Sequence, residues 1–135
     1  MTSRELIGLR VLATMSASIA TVTTTNLTAD LNLAATGNFK PGDRLVVVIR
    51  ATTAGTTDTT SFSIQDAPDS AGSIGTPATA ITTGSLAGGT SNQTALVGVQ
   101  LQPGRPWIRV RCTRASGTTD THLVSAIVLA VPHNA

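Results

Sequence analysis

The sequence predicts an all-β protein: an antiparallel β-sandwich of jelly-roll or Greek-key type with about eight strands. Composition is the first reason, because 24 of the 135 residues are threonine and only 12% are charged, a balance that favours strands with polar but uncharged outer faces. Pattern is the second reason, since short alternating segments recur at regular spacing between turns rich in glycine and proline. At 135 residues the chain has the size of one ordinary domain.

The first 26 residues are interpreted as an N-terminal arm or short helix that contacts a neighbouring molecule. Ser3, followed by apolar residues at partly helical spacing, predicts a helix over 3–15. An extended arm is the alternative, because the threonine-rich residues 21–25 are more typical of a strand. The sandwich domain is predicted to comprise the remaining residues, 27–135.

The strands are predicted from the alternation of apolar and polar residues. The clearest strand is 44–52, which is apolar on both faces and is therefore expected in the centre of a sheet. The segment 121–131 is also apolar throughout and is expected to be buried on both faces. Residues 68–92 are rich in Gly, Pro, Ser and Thr and are expected to contain at most one short strand, near 78–83. The other predicted strands are 27–37, 60–67, 93–101 and 105–113.

The pentapeptide Gly-Thr-Thr-Asp-Thr occurs twice, at 55–59 and 117–121. Each copy lies between two predicted strands. Glycine permits a positive φ, and the side chains of Thr and Asp cap the backbone groups of a turn. The two copies are therefore interpreted as the ends of two similar β-hairpins, which makes the repeat a structural one and not a repeated active-site loop.

No motif typical of catalysis or of cofactor binding occurs in the sequence, and the chain is predicted not to be an enzyme. A hydrolase would need a constellation around His122, but no Gly-x-Ser-x-Gly motif is present, so His122 is expected at the surface. Asp66 is interpreted as a turn cap, since the calcium-loop pattern is incomplete. Cys112, the one cysteine, is expected to be a buried thiol. We expect no catalytic residue, no cofactor and no metal.

The charge and the apolar segments exclude two classes of partner. A formal net charge of +2 is too small for a protein that wraps nucleic acid. No segment approaches the roughly 18 apolar residues of a membrane span, and Arg10 interrupts the apolar run that a secretory signal would need. We therefore expect a soluble, unexported protein that binds neither nucleic acid nor membrane.

One strand carries residues typical of a protein interface. Trp107, Arg109 and Arg111 alternate on one face of 105–113, and Arg105 lies beside them. Because Trp and Arg are enriched among interface hot spots, a protein contact is favoured over a small ligand such as a sugar or a base. The apolar residues of the N-terminal arm that are predicted to join this interface are Leu6, Ile7 and Leu9.

The order of motifs along residues 27–131 is a further observation. A valine-rich strand and a threonine-rich turn lie in GDRLVVVIRATTAGTTDTTSFSIQDAPDSAG (42–72), after the leucine-rich strand LNLAATG (31–37). A proline-glycine turn, an aromatic residue followed by Arg-x-Arg and a closing Gly-Thr-Thr lie in ITTGSLAGGTSNQTALVGVQLQPGRPWIRVRCTRASGTTDTHLVSAIVLA (81–130). This order resembles the head decoration, or cement, proteins of tailed bacteriophages, a jelly-roll-like family.

The resemblance implies a structural virion protein that binds the outer capsid surface and cements neighbouring capsomers against internal pressure. Its implied partners are the major capsid protein and further copies of itself, as a homodimer or a homotrimer. Such a protein is made in the host bacterial cytoplasm and ends on the outer capsid surface of the virion. Two alternatives stay open: a phage fibre or adhesin domain that binds host surface glycans, and a minor capsid or connector protein.

Overall fold

The structure, a computed structural model, describes residues 10–19, 29–35, 37, 40–53, 59–76, 81–88, 91–116 and 121–131. These residues form ten β-strands and contain no helix, and hence none that is long and apolar enough to cross a membrane. The strands are β1 (Arg10–Ile19), β2 (Ala29–Asn32), β3 (Arg44–Thr52), β4 (Thr59–Ala67), β5 (Asp69–Ser70), β6 (Ser73–Ile74), β7 (Thr82–Ala87), β8 (Gln93–Gln100), β9 (Trp107–Ser116) and β10 (His122–Ala130).

Two four-stranded antiparallel sheets form the sandwich. Sheet A has the strand order β1-β10-β3-β8, sheet B has the order β2-β9-β4-β7, and β5 and β6 form a separate two-stranded sheet. The pairing is nested, since β1 pairs with β10, β2 with β9, β3 with β8 and β4 with β7. An antiparallel ribbon rolled up in this way is a jelly roll. The predicted all-β sandwich is confirmed.

The hydrophobic core lies between the two sheets, because every second side chain of each strand points inward. In β3 the inward residues Leu45, Val47, Ile49 and Ala51 are at most 2% exposed. Fully burying one such aliphatic side chain stabilises a fold by about 1.5–3 kcal/mol. The buried core residues are Leu33, Leu45, Val47, Ile49, Ala51, Phe62, Ile64, Leu86, Val99, Leu101, Ile108, Val110, Cys112, Val124, Ala126 and Val128.

Most strand positions agree with the sequence pattern, and β3 has the predicted bounds. The helix expected over 3–15 is wrong for residues 10–15, which belong to β1, because pairing with β10 turns Leu12 and Met15 towards the core. The expectation of one short strand in 68–92 is also wrong, since β5, β6 and β7 all lie there. Residues 1–9 and 20–26 of the predicted arm lie outside the described residues, so its role as a separate segment stays a prediction.

Both copies of the repeat belong to connections between the two sheets. The first copy joins β3 of sheet A to β4 of sheet B, and the second joins β9 of sheet B to β10 of sheet A. The interpretation as β-hairpins is therefore wrong, since the two strands of a hairpin pair with each other. A turn motif reverses the chain but does not specify which sheet receives the next strand. Residues 54–58 and 117–120 themselves lie outside the described residues.

The two connections lie at the same end of the sandwich. At that end Thr52 of β3 pairs with Leu123 of β10, and Thr59 of β4 pairs with Ser116 of β9. The repeat thus belongs to two neighbouring connections between the sheets, and its interpretation as a structural element stays a prediction.

Candidate functional site

Two broad surfaces of the sandwich point away from the core: the outward side of sheet B, called the sheet B face, and the outward side of sheet A, called the sheet A face. The sheet B face carries the residues predicted for a protein interface. Trp107, Arg109 and Arg111 lie partly exposed on the outward side of β9, while the residues between them are buried. This alternation is confirmed.

The interface role of these residues, however, stays a prediction. Arg105 lies two residues before β9 and is also partly exposed. The arm residues with which they were grouped, Leu6, Ile7 and Leu9, lie outside the described residues.

Two of the predicted interface arginines bind carboxylates of the same chain. Arg105 Nε donates a hydrogen bond to Asp66 Oδ1 at 2.6 Å, and Arg105 Nη2 donates to the Asp66 carbonyl at 3.0 Å. Arg109 donates to both carboxylate oxygens of Asp30, at 2.6 and 3.0 Å, and this bond raises the pKa of Arg109. Asp66 is only 3% exposed. Its interpretation as a turn cap is therefore wrong, because a buried carboxylate is stable only beside a cation or strong donors.

The indole of Trp107 connects β9 to β5, the first strand of the small β5–β6 hairpin. Trp107 Nε1 donates a hydrogen bond to Asp69 Oδ1 at 2.9 Å, and the Gly72 amide donates to Asp69 Oδ2 at 3.0 Å. These bonds, first that of Trp107 and then that of Gly72, lower the pKa of Asp69 below its ordinary value of 3.8. The Trp107 N–H is thus already used within the chain.

A shallow groove of about 460 Å³ crosses the sheet B face. Arg111 of β9 lies at one side of it, and hydroxyl side chains of three strands form the rest of its polar lining. These hydroxyl residues are Ser61, Ser63, Thr83, Ser85 and Thr113. The groove therefore offers many small hydrogen-bonding groups and one cation, with no carboxylate among its described lining residues.

The sheet A face is apolar across its centre. Its large apolar side chains are Val11, Val46, Val48, Leu96, Leu123, Ile127 and Leu129. Leu96 is 73% exposed, Leu123 is 58% exposed and Val11 is 57% exposed. The expectation that 121–131 is buried on both faces is wrong for Leu123, because the described residues cover only the inward side of β10. Leu96, Val48 and Ile127 form one apolar row across three strands, whereas Leu123 lies beyond the polar pair of Arg50 and Ser125. Contiguous apolar surfaces such as the one around this row mark interaction sites.

Arginine is the charged residue of the sheet A face. Arg44 and Arg50 lie on the outward side of β3 and are exposed, and β1, β3, β8 and β10 contain no Asp or Glu. A groove of about 480 Å³ lies beside Arg50 and is lined also by Thr52, Leu123 and Ser125. The signal for this surface was present in the sequence, since 44–52 and 121–131 are apolar on both faces.

Buried polar side chains lie at the end of the sandwich where the two inter-sheet connections lie. His122 and Thr60 are both 0% exposed, and His122 Nδ1 shares a hydrogen bond of 2.9 Å with Thr60 Oγ1. The expected surface position of His122 is wrong, because this residue takes the first inward position of β10. Arg114, 3% exposed, takes an inward position on β9. These side chains are sealed from solvent, so a substrate in solution does not reach His122.

Two further findings concern reactive groups. The buried thiol expected at Cys112 is confirmed, since the residue is 0% exposed, and burial raises the pKa of its thiol to about 12. Within the described ranges, no three His, Cys, Asp or Glu side chains lie close enough together to hold a metal ion. The absence of enzymatic activity stays a prediction.

Comparison with known proteins shows shared folds. No protein-family model and no curated protein matches the chain. The enzymatically active domain of tailspike protein 4 from bacteriophage CBA120 is 16% identical, with a TM-score of 0.61 over 87% of this chain and 15% of that chain. A CBM4 module is 11% identical, with a TM-score of 0.58 over 93% of this chain and 79% of the module.

A second carbohydrate-related match is the N-terminal cellulose-binding domain of the Cellulomonas fimi β-1,4-glucanase C. It is 11% identical, with a TM-score of 0.50 over 90% of this chain and 78% of that domain. The chain thus spans most of the two binding modules but only a small part of the tailspike chain. At these identities the likeness shows the β-sandwich fold alone, which can serve several functions.

Proposed function

We propose that the protein is a structural component of a bacteriophage particle that binds the outer capsid surface and holds neighbouring shell subunits together. The observation that carries this proposal is the sheet A face, an apolar surface on which Leu96, Leu123 and Val11 are each more than half exposed. Exposing such a surface to water raises the free energy of the protein, and burying it against another protein lowers that free energy again. The surface itself therefore supports a protein-binding role.

The composition and the fold support a structural role. Only 12% of the residues are charged, and Ser and Thr side chains lose less conformational entropy on ordering than Lys or Glu. A rolled sandwich in which every strand is held by neighbours is stiff, so little ordering is needed on binding. Many copies bound to one symmetric shell also act together, since each contact keeps the next at a high effective concentration.

The likeness to other proteins supports a place in a phage particle. The motif order in 42–72 and 81–130 resembles cement proteins, and the fold is shared with a domain of a phage tailspike. The proposed partners are the major capsid protein and further copies of the chain, as a homodimer or homotrimer. The proposed location is the outer capsid surface, and the proposed role involves no catalysis.

Binding to undecorated phage heads tests this function. Purified protein should bind such heads to a fixed ratio of copies per capsid, measured by co-sedimentation, and the decorated heads should resist heating better than bare ones. Binding without a gain in heat resistance would favour a display or adhesion role instead. An absence of binding would remove the proposal.

Carbohydrate binding is a second candidate function, favoured by the groove on the sheet B face. Its hydroxyl lining and Arg111 suit a saccharide that carries carboxylate groups, because guanidinium binds carboxylates in a bidentate manner. The shared fold of a CBM4 module and of a cellulose-binding domain supports this candidate. Calorimetry with acidic and neutral oligosaccharides tests it: Arg111→Ala should abolish binding of the acidic ligand, while Ser70→Ala in β5 should not. No heat of binding with either sugar would exclude it.

A further inference from the structure

The middle of the outward side of β3 and β10 is apolar, formed by Val46 and Val48 together with Ile127 and Leu129. Val48 of β3, Ile127 of β10 and Leu96 of β8 are cross-strand neighbours, so they form one apolar row across three strands. Strands that are apolar on both sides normally lie between two covering layers. The core supplies one such layer, and the described residues supply none on the outward side. The sequence of these strands is thus adapted to a covering partner.

The size of the sheet A face fits a stable protein interface. Four strands spaced about 4.8 Å apart, each about eight residue steps of 3.3 Å long, span roughly 500 Å² in projection. That projected area is about three-fifths of the roughly 800 Å² per partner of a standard complex, and the relief of the side chains adds accessible surface to it. A single small ligand would leave most of the apolar row in water, so the occupant is a macromolecule.

The charges of the sheet A face indicate the chemistry of that occupant. On the opposite side of the sandwich, Arg109 of β9 and Arg105 just before β9 are bound by Asp30 and Asp66 respectively. In contrast, the four strands of sheet A contain three arginines, Arg10, Arg44 and Arg50, and no carboxylate. Two sheet A faces in contact would bring arginines together without any acid from those strands, which is unfavourable. A different protein that carries acidic side chains removes this conflict.

We infer that the sheet A face binds a second, different protein, whose contact surface is apolar and carries Asp or Glu side chains opposite Arg44 and Arg50. The groove beside Arg50, lined by Leu123 and Ser125, receives one of these carboxylates. This inference rests on the proposed function, since the partner with this surface is the shell protein. It moves the shell contact away from the predicted Trp107 and Arg109 and onto sheet A.

Variants of exposed residues test the assignment without disturbing the core. Leu96→Glu and Arg50→Glu should each weaken binding to undecorated heads by about tenfold or more, since each introduces a carboxylate opposite an acidic partner. Arg50→Lys should retain most of the affinity. Ala87→Glu, on the exposed side of the edge strand of sheet B, is the matched control and should bind as the wild type does. Thermal melts of all four variants verify that each is folded.

Three outcomes would overturn part of this reasoning, and they are distinguishable. If the wild type binds heads and both Leu96→Glu and Arg50→Glu bind equally well, the sheet A assignment is wrong while the proposed function stands. If the wild type does not bind, the proposed function and this inference fall together. If analytical ultracentrifugation shows a wild-type oligomer that Leu96→Glu dissociates, a second copy of the chain covers the face, and the assignment to a different protein is wrong.

Discussion

Replacing Gly84 with alanine is expected to destabilise the sandwich, because the Phe62 ring occupies the space that a Cβ atom would need. Gly84 of β7 pairs directly with Phe62 of β4. A Cβ atom on Gly84 would lie 2.4 Å from Phe62 Cζ and 2.9 Å from Cε1. Ordinary carbon contacts are about 3.5–4.0 Å, so the ring would have to move by more than about 1 Å. Phe62 is only 8% exposed, and the surrounding core resists that movement.

Two opposing effects set the magnitude of this destabilisation. Forcing a packed side chain from its position costs about 1–3 kcal/mol. Alanine also restricts the unfolded chain relative to glycine, which offsets about 0.4–1 kcal/mol of that cost. Taking the middle of each range, the net loss in the free energy of unfolding is about 1.3 kcal/mol, which corresponds to a decrease in Tm of roughly 3–10 °C for a domain of this size.

Gly98 provides a matched control on the edge strand of the other sheet. A Cβ atom there meets nothing within 4 Å, so Gly98→Ala should leave stability unchanged or raise it by up to about 1 kcal/mol. Both variants are compared with the wild type by urea denaturation. Gly84→Ala should cost less stability when it is added to Phe62→Leu than when it is made in the wild type, because leucine lacks the ring with which the new Cβ atom would clash. Equal stability of Gly84→Ala and Gly98→Ala would refute the reasoning.

Three further predictions concern titratable and buried polar groups. The pKa of Asp69 is lowered in the folded state. Its stabilising bond with Trp107 is therefore fully present above pH 3.8, the ordinary pKa of the group, and is lost as the pH falls through the lowered pKa of the folded protein. The fluorescence of the single tryptophan should change in that pH range, and Asp69→Asn should abolish this change. Cys112, with its pKa raised to about 12, should not react with a thiol reagent at pH 8 until urea unfolds the chain, and rapid labelling of native protein would contradict its burial. Thr60→Val should reduce the free energy of unfolding by about 1–3 kcal/mol, because it removes the hydroxyl that hydrogen-bonds to His122 in the core. If urea denaturation shows this variant to be as stable as the wild type, the hydrogen bond contributes little.

Alternation of side chains predicted the strands well, because it records directly which residues point inward. β3 matches the predicted 44–52, and the inward row of Leu45, Val47 and Ile49 was evident from the sequence. The sheet that each strand joins was not predictable in the same way. The repeat at 55–59 signals a reversal of the chain, but pairing across the sandwich depends on contacts between distant segments, which local residues do not encode.

The candidate surfaces were predicted only in part. The row of Trp107, Arg109 and Arg111 was placed on the correct side of its strand, but the carboxylates that bind two of the neighbouring arginines come from β2 and β4, far away in sequence. The sequence of 121–131 predicts an apolar outer side, but it predicts that this side is buried in the interior, which is wrong for Leu123. A strand that is apolar on both sides is expected to be buried on both sides. The amino-acid sequence does not show whether the layer that buries the second side belongs to the same chain or to another molecule.

The nested pairing of strands has a consequence for how the chain acquires its structure in the cell. β1 and β10 lie side by side in sheet A although almost the whole described chain separates them. A ribosome therefore releases most of the polypeptide before sheet A has its full set of strands, and contacts between remote segments make such folding slow. Until β10 is synthesised, β1 and β3 lack their shared neighbour. The nascent chain exposes unpaired strand edges during that interval, so chaperones that shield them should raise the yield of native protein.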